Sequence, residues 1–259
     1  MERNLKVVIL AGGYGTRLSE ETLLKPKPMV EIGERPILWH IMKRYSMFGL
    51  NEFIICCGYK GMMIKEYFYN YYYRNSDISI NLANNSVDIL NNECEPWQVT
   101  LVDTGTDTMT GGRLRRVGKY IDSEDFCFTY GDGVSDINMD VLIKNHRQSR
   151  CQATMTAVQP PGRFGAIKTD GNKITSFTEK PEGDGAWVNG GFFVLNKSIF
   201  SLLTDDSTVW EASPLQQLAS SGQLNSFKHK GFWQSMDTLR DKNYLDSLCH
   251  QGNVPWLQK

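Results

Sequence analysis

"LKVVILAGGYGTRLSEETLLKPKP", residues 5–28, is the stretch on which the reading of this 259-residue chain turns. Its opening run from Val7 to Ala11 is continuously apolar, the mark of a strand covered on both faces. The run ends in Gly12, Gly13 and Gly15, Arg17 follows, and Lys27 stands between Pro26 and Pro28. Three phosphate-binding motifs compete for such a loop. A Walker A loop requires GxxxxGK[ST], and no such string occurs. A dinucleotide fingerprint requires GxGxxG, but Gly13-x-Gly15 is followed by Leu18 where the third glycine belongs, and the two prolines oppose the long helix that fold needs here. What remains is a glycine loop after a strand, whose bare backbone N–H groups can come close to a base and a triphosphate. Arg17 offers a planar fork of donors and Lys27 a point charge. The flanking prolines are expected to keep Lys27 on an extended, low-entropy segment. The plainer alternative is a turn carrying two solvated cations.

Outward from this stretch, strand-like and helix-like segments alternate. In "PILWHIMKRYSMFG" Ile37, Ile41, Tyr45 and Phe48 fall at helical spacing, with Pro36 at the start and Gly49 as a stop. "EFIICC" then returns as a second buried strand, which completes a β-α-β beginning. "GMMIKEYFYNYYY" reads as a further helix, "VTLVD" and "FCFTYGD" as strands, and "MDVLIKNHRQS" as a helix leading to "ATMTAVQ". The fold class is therefore α/β, a Rossmann-like and mainly parallel sheet flanked by helices. The second half changes texture: "GAIKTDGNKITSFTEKP", "WVNGGFFVL" and "LNSFKHKGFW" suggest a small β-rich annex at the open end of the sheet. A last helix, "TLRDKNYLDSLCH", begins just after Asp237. No repeat or linker divides the chain.

Composition narrows the function. Twenty-eight basic against twenty-nine acidic residues give a net charge of −1, which argues against general nucleic-acid or membrane-surface binding and leaves room for a small anionic ligand. No apolar run approaches a membrane span and the N-terminus lacks a secretion pattern, so cytoplasmic residence is the expectation. Six cysteines form no CxxC pair and read as reduced core thiols. Four histidines form no zinc motif, so any metal should be oxygen-bound. The tyrosine-rich run 67–73 has thin basic support for stacking on nucleic acid and reads better as packing or a subunit contact.

Two aspartates complete the pattern. Asp132, in "FTYGDG", lies at the carboxyl end of an apolar strand, where open α/β sheets gather ligands. Asp237 follows another β segment. Two carboxylates are sufficient for Mg²⁺, which leaves its other positions to water and phosphate. A turn aspartate and a helix N-cap are the alternative uses.

"LAGGYGTRL" with "KPKPMVEIGERPIL" resembles the signature of the sugar-phosphate nucleotidyltransferases. "DTGTDTMTGGRLRRV", "TYGDGVSD", "PPGRFGAI", "FTEKPEGDGAWVNGGFFVL" and "FWQSMDTLRDK" continue the likeness over nearly the whole chain, and "DTG…MTGGR" points to the cytidylyl-transferring branch. One departure is "RLSEET", where many relatives carry a proline after the leucine. The resemblance implies CTP and glucose 1-phosphate as substrates, CDP-glucose and diphosphate as products, Mg²⁺ as cofactor, and a homo-oligomer, a hexamer by analogy. It implies a nucleotide-binding half over about 1–135 and a sugar-phosphate-binding half over about 136–259, with the product supplying dideoxysugars of lipopolysaccharide O-antigen. By the same resemblance Arg17, Lys27 and Asp132 are catalytic and Asp132 and Asp237 hold the metal. The nucleotide would meet Leu10, Ala11, Gly12, Gly13, Tyr14, Gly15, Thr16, Arg17, Lys27, Thr108, Arg113 and Gly131. The sugar phosphate would meet Gly165, Glu179, Lys180, Asn189 and Gly190. The same chemistry with dTTP or UTP, and a non-catalytic nucleotide-sugar sensor, are the competing readings.

Overall fold

The computed structural model describes residues 5–160, 165–179 and 186–258, and for residues 17, 19 and 20 only the backbone. Its centre is a seven-stranded sheet. In chain order the strands are β1 (Val7–Ala11), β2 (Glu52–Cys57), β3 (Gln98–Asp103), β4 (Asp125–Tyr130), β5 (Ala153–Val158), β6 (Val188–Asn196) and β7 (Leu224–Lys228). In space they run β7-β5-β6-β4-β1-β2-β3. Only β6 opposes its neighbours; the β1, β2, β3 and β4 pairings and the β5–β7 pairing are parallel. The helices are α1 (Ile37–Ser46), α2 (Gly61–Tyr69), α3 (Thr110–Val117), α4 (Met139–Ser149), α5 (Ser213–Ser220) and α6 (Leu239–His250).

The continuous apolar runs follow from this layering. Val7, Ile9, Phe53, Ile55 and Cys127 point into one core, shared with α1, whereas Val8, Ile54, Cys56, Phe126 and Phe128 point into the other, shared with α3. A strand buried on both faces has no position for a polar alternation. Cys56, Cys57 and Cys127 are buried free thiols, in keeping with their apolar surroundings, whereas Cys94, Cys151 and Cys249 are free but only half-buried, outside the core expected for all six.

Three local expectations change. The segment expected as one helix over residues 61–73 breaks at Asn70, whose ψ of 2 leaves the helical range, and resumes as one short turn, Tyr71–Arg74; the Asn70 side-chain amide and main-chain N–H share the Glu66 carbonyl. Lys27 opens a one-turn 3₁₀ helix rather than an extended segment, because Met29 N–H and Val30 N–H bond the carbonyls of Pro26 and Lys27. Among the second-half β segments, β6 and β7 belong to the central sheet, and the annex is the exposed hairpin of Ala166–Asp170 with Lys173–Thr178. A second hairpin, Ser76–Asn81 with Ser86–Asn92, comes from the first half.

His40 ties α1 to two distant segments. Its Nε2–H donates to the Ile32 carbonyl at 2.8 Å, and its Nδ1 accepts from Trp256 Nε1 at 3.1 Å, an arrangement only the neutral ring can make. Burial pushes its pKa down to about 4. The unfolded chain therefore takes up a proton near pH 6.5 that the folded chain refuses until about pH 4. Stability is full above that window and falls as pH drops through it, by about 3 kcal/mol for a shift of this size. Urea unfolding between pH 7.5 and 4.5 should show the decline, and His40→Gln should flatten it.

Candidate active site

The carboxyl ends of β1, β2, β3 and β4 open on one side of the sheet, and the strand order reverses direction of travel between β1 and β4. Ligands of open α/β sheets gather at such a switch point. There β1 runs into Gly12 and Gly13, β2 into Gly58, β3 into the loop 104–109, and β4 into Gly131 and Asp132. Because β6 is antiparallel, it begins at this same end, beside Tyr130.

The glycines are dictated by close approach. A Cβ on Gly12 would lie 2.1 Å from Arg113 Nη1, one on Gly58 would lie 2.3 Å from the same atom, and one on Gly131 would lie 2.5 Å from the Leu10 carbonyl oxygen. Gly15 adopts φ +65, which side-chain-bearing residues rarely take. Thr22 Oγ1 pins the loop by bonding the Gly15 and Leu18 carbonyls at 3.0 and 2.8 Å.

Arg113 lies beneath this loop, 5 % exposed. Its guanidinium donates to Thr104 Oγ1 at 2.9 Å, the Gly105 carbonyl at 2.7 Å and the Thr106 carbonyl at 2.9 Å. Burial lowers its pKa. Arg113 thus holds the loop after β3 against the loop after β1, and Tyr14 adds a second tie by donating to Asp107 Oδ1 at 2.7 Å. That bond and the Asp107 charge raise the Tyr14 pKa.

The centre of the site is Lys27. Its ammonium donates to Asp132 Oδ2 at 2.7 Å and to Asp237 Oδ1 at 2.8 Å. Burial pulls its pKa down, but the two carboxylates outweigh burial and leave it above the ordinary lysine value. A short antiparallel ladder delivers Asp237: Gly133–Ser135 pairs with Trp233–Ser235, and Met236 N–H donates to the Asp132 carbonyl at 2.8 Å. Asp237 is not the cap of α6. Thr238 is, in a capping box with Asp241. The Asp237 side chain is thereby left to the site.

Leu10, Ala11, Gly12, Gly13, Tyr14, Gly15, Thr16, Lys27, Thr108, Arg113, Gly131, Asp132 and Asp237 all line one cavity of about 560 Å³. The side chain of Arg17 and the whole of Lys180 lie outside the described residues. The other sugar-phosphate candidates do not line this cavity. Gly165 and Glu179 face each other across the exposed hairpin, where a Cβ on Gly165 would lie 3.1 Å from Glu179 Oε2. Gly190 packs on β5, its Cβ position 2.8 Å from Val158, and its carbonyl accepts from Trp233 Nε1. Asn189 reaches the cavity through Tyr130, donating from Nδ2 to the phenol oxygen at 3.1 Å. Tyr130, Thr110 and Glu211 are lining residues that sequence reading missed. A roomier groove of about 820 Å³, lined by Lys65, Glu66, Tyr69, Tyr71, Glu95 and Trp97, lies elsewhere; it has no glycine in its lining to bring bare main chain to a phosphate chain, and its Glu95 is taken up by Tyr71 and Lys43.

A family model for nucleotidyl transferase matches residues 6–241. The chain belongs to this family. It is 58% identical over 253 residues to the glucose-1-phosphate cytidylyltransferase of Salmonella typhi, covering 97% of this chain and 98% of that one. It is 41% identical over 253 residues to a protein of Bacillus subtilis (strain 168) named probable glucose-1-phosphate cytidylyltransferase, covering 97% and 99% of the two chains. Among solved structures, HddC from Yersinia pseudotuberculosis superposes with a TM-score of 0.69 at 23% identity, covering 96% of this chain and 99% of that one. A UDP-glucose pyrophosphorylase complexed with UDP-glucose gives 0.68 at 16%, covering 96% and 99%. At these identities the structural likeness speaks for the fold.

Arg113 gives this site a sharp test. Arg113→Met strands the Gly105 and Thr106 carbonyls around an apolar side chain, so unfolding free energy should fall by about 2–4 kcal/mol in urea titrations. Arg113→Lys keeps the charge but cannot reproduce the planar fork and should recover less than half of that loss.

Proposed function

We propose that the protein is a nucleotidyltransferase that joins CTP and α-D-glucose 1-phosphate to give CDP-glucose and diphosphate. The observation that carries this reading is the meeting of Lys27, Asp132 and Asp237 under a glycine loop, in a chain 58% identical to a glucose-1-phosphate cytidylyltransferase.

The attacking group, a sugar-phosphate oxygen, is already ionised, so neither a covalent nucleophile nor a general base is required. Positioning and charge neutralisation accomplish the step. Main-chain N–H groups of residues 12–16 and the loop held by Arg113 would cradle the nucleotide. Lys27, and Arg17 by resemblance, would offset the charge that gathers around the α-phosphorus. Gly165, Glu179, Lys180, Asn189 and Gly190 remain the proposed sugar-phosphate contacts, which assigns the sugar side to the half of the chain after residue 135.

Asp132 and Asp237 fit Mg²⁺ by the chemistry of their donors. Two carboxylates against one ammonium leave the group at −1, unfavourable toward a phosphate chain, and a divalent ion reverses that sign. Asp132 and Asp237 would hold the ion, which would supply charge neutralisation for the phosphates. Chelation should abolish turnover and added Mg²⁺ should restore it.

We further infer a homo-oligomer. Ile80, Leu82, Val87 and Leu90 on the hairpin of residues 76–92 are 52%, 87%, 47% and 69% exposed, more apolar surface than a lone two-stranded hairpin can hold in water. A hexamer is the size the resemblance implies; light scattering on the intact chain decides it. No helix among the described residues is long and apolar enough to cross a membrane. The proposal places the reaction in the cytoplasm, with its product feeding dideoxysugars of O-antigen.

Turnover of glucose 1-phosphate with CTP, UTP and dTTP at equal concentration tests the base assignment, and a preference for UTP or dTTP would sink it. Lys27→Ala should lower kcat by about 10²–10³-fold while the KM for glucose 1-phosphate moves far less. An unchanged kcat removes Lys27 from the chemistry.

A further inference from the structure

The "MTGGR" segment singled out in the sequence has a structural task that points to an unassigned residue. A Cβ on Gly111 would lie 2.8 Å from the Thr208 side chain and carbonyl oxygen, and one on Gly112 would lie 2.6 Å from the Asp206 main chain. The two glycines therefore let residues 206–208 lie directly on the start of α3. Met109 N–H donates to the Asp206 carbonyl at 2.9 Å and Gly112 N–H to the Thr208 carbonyl at 3.1 Å. Trp210 then anchors the segment, fully buried against Phe128 and Phe193. The next residue, Glu211, is delivered into the wall of the 560 Å³ cavity.

Every hydrogen bond around Glu211 runs toward it. Gly191 N–H donates to Asn189 Oδ1 at 2.8 Å, which orients the amide so that Nδ2 donates to the Tyr130 oxygen at 3.1 Å. Burial and the neighbouring Glu211 carboxylate raise the Tyr130 pKa, which keeps the phenol protonated beside that carboxylate. On the other flank Trp210 N–H donates to Thr110 Oγ1 at 2.9 Å, and that hydroxyl donates to Glu211 Oε2 at 2.6 Å. One chain of directed bonds thus ends on the carboxylate, which accepts only, and the other ends on its protonated neighbour Tyr130. A carboxylate offers about four lone-pair sites, and the Thr110 hydroxyl leaves acceptor capacity on an exposed side chain lining the cavity. No protein cation among the described residues pairs with it.

We infer that Glu211 is a specificity-determining acceptor for ring hydroxyls of the sugar phosphate, held in place by Thr110 and by the Tyr130–Asn189 pair. Neutral O–H donors come from the ring of the sugar phosphate and from the ribose of the nucleotide, whereas the phosphates are repelled by a carboxylate; position separates the two. The Tyr130–Asn189 link joins the ends of β4 and β6, on the side of the cavity away from the glycine loop. The inference rests on the proposed reaction, deepening its sugar side.

The experiment compares the parent with Glu211→Gln, which keeps the size and removes the charge. A hydrogen bond to a charged acceptor is worth about 10- to 100-fold in affinity. The KM for glucose 1-phosphate should rise by that factor, with the KM for CTP within about twofold and an unchanged melting temperature. A panel of monodeoxy-glucose 1-phosphates should show one hydroxyl whose removal penalises the parent strongly and Glu211→Gln little. Gly112→Ala, which presses on the Asp206 main chain and leaves Glu211 itself intact, should reproduce the sugar effect in milder form. Unchanged constants for both substrates in Glu211→Gln, or a rise confined to CTP, overturn the assignment while the reaction stands. A parent that fails to turn over CTP with glucose 1-phosphate removes the reaction and this assignment together.

Discussion

One ammonium held between two carboxylates organises this molecule. Lys27 meets Asp132 and Asp237 across 105 and 210 residues of sequence. Desolvating three charges is costly, and replacing buried ion groups by apolar ones is often neutral or stabilising, so such a cluster is weak as a device for stability. Its cost makes sense where the charges are to be used. The surroundings are built to hold it: the 3₁₀ turn of residues 27–29 fixes the lysine, the end of β4 fixes Asp132, and the ladder of residues 133–135 with 233–235 fixes Asp237.

The glycine loop and Arg113 form a second, interlocking constraint. A loop of bare main chain is useful to a ligand only if its shape is settled beforehand, and glycine loses the most freedom in settling. Arg113 supplies the ordering from below by bonding the opposite loop while filling the space that side chains at positions 12 and 58 would have needed. The missing side chains thus serve two partners at once, the arginine inside and the ligand outside.

How much of this was legible in sequence depends on how local each signal is. The strand–glycine–lysine stretch, the β-α-β beginning and both aspartates were legible because each lies in a short pattern with its own physics: continuous apolarity, conformational freedom, a charge at a strand end. The Lys27 turn was misread since proline statistics describe a preference, and two backbone hydrogen bonds overrode it. Strands β6 and β7 were placed outside the sheet because alternation reveals a strand without naming its neighbour. The likeness of "MTGGR" to a family motif was visible, but its packing role was not, since the segment it receives lies about a hundred residues on. Glu211 carried no signal at all: one glutamate before a helix is ordinary, and it matters only through Thr110 and Tyr130.

The charge balance of the cavity ties these parts together. Among its described lining side chains are two cations, Lys27 and Arg113, against four carboxylates, Asp107, Asp132, Glu211 and Asp237. Arg113 is spent on the loop, so the cations available to a ligand are fewer still. A cavity of that sign would repel a bare triphosphate. On the proposed reaction the contradiction resolves by position: Asp132 and Asp237 sit together at Lys27, where a divalent ion changes the local sign, whereas Glu211 and Asp107 stand apart from that cluster with hydroxyl donors already upon them. Negative charge is thus divided between a place where a cation cancels it and places where neutral donors use it. A cavity arranged in this way distinguishes the phosphate part of a ligand from its hydroxyl-bearing part before any chemistry begins.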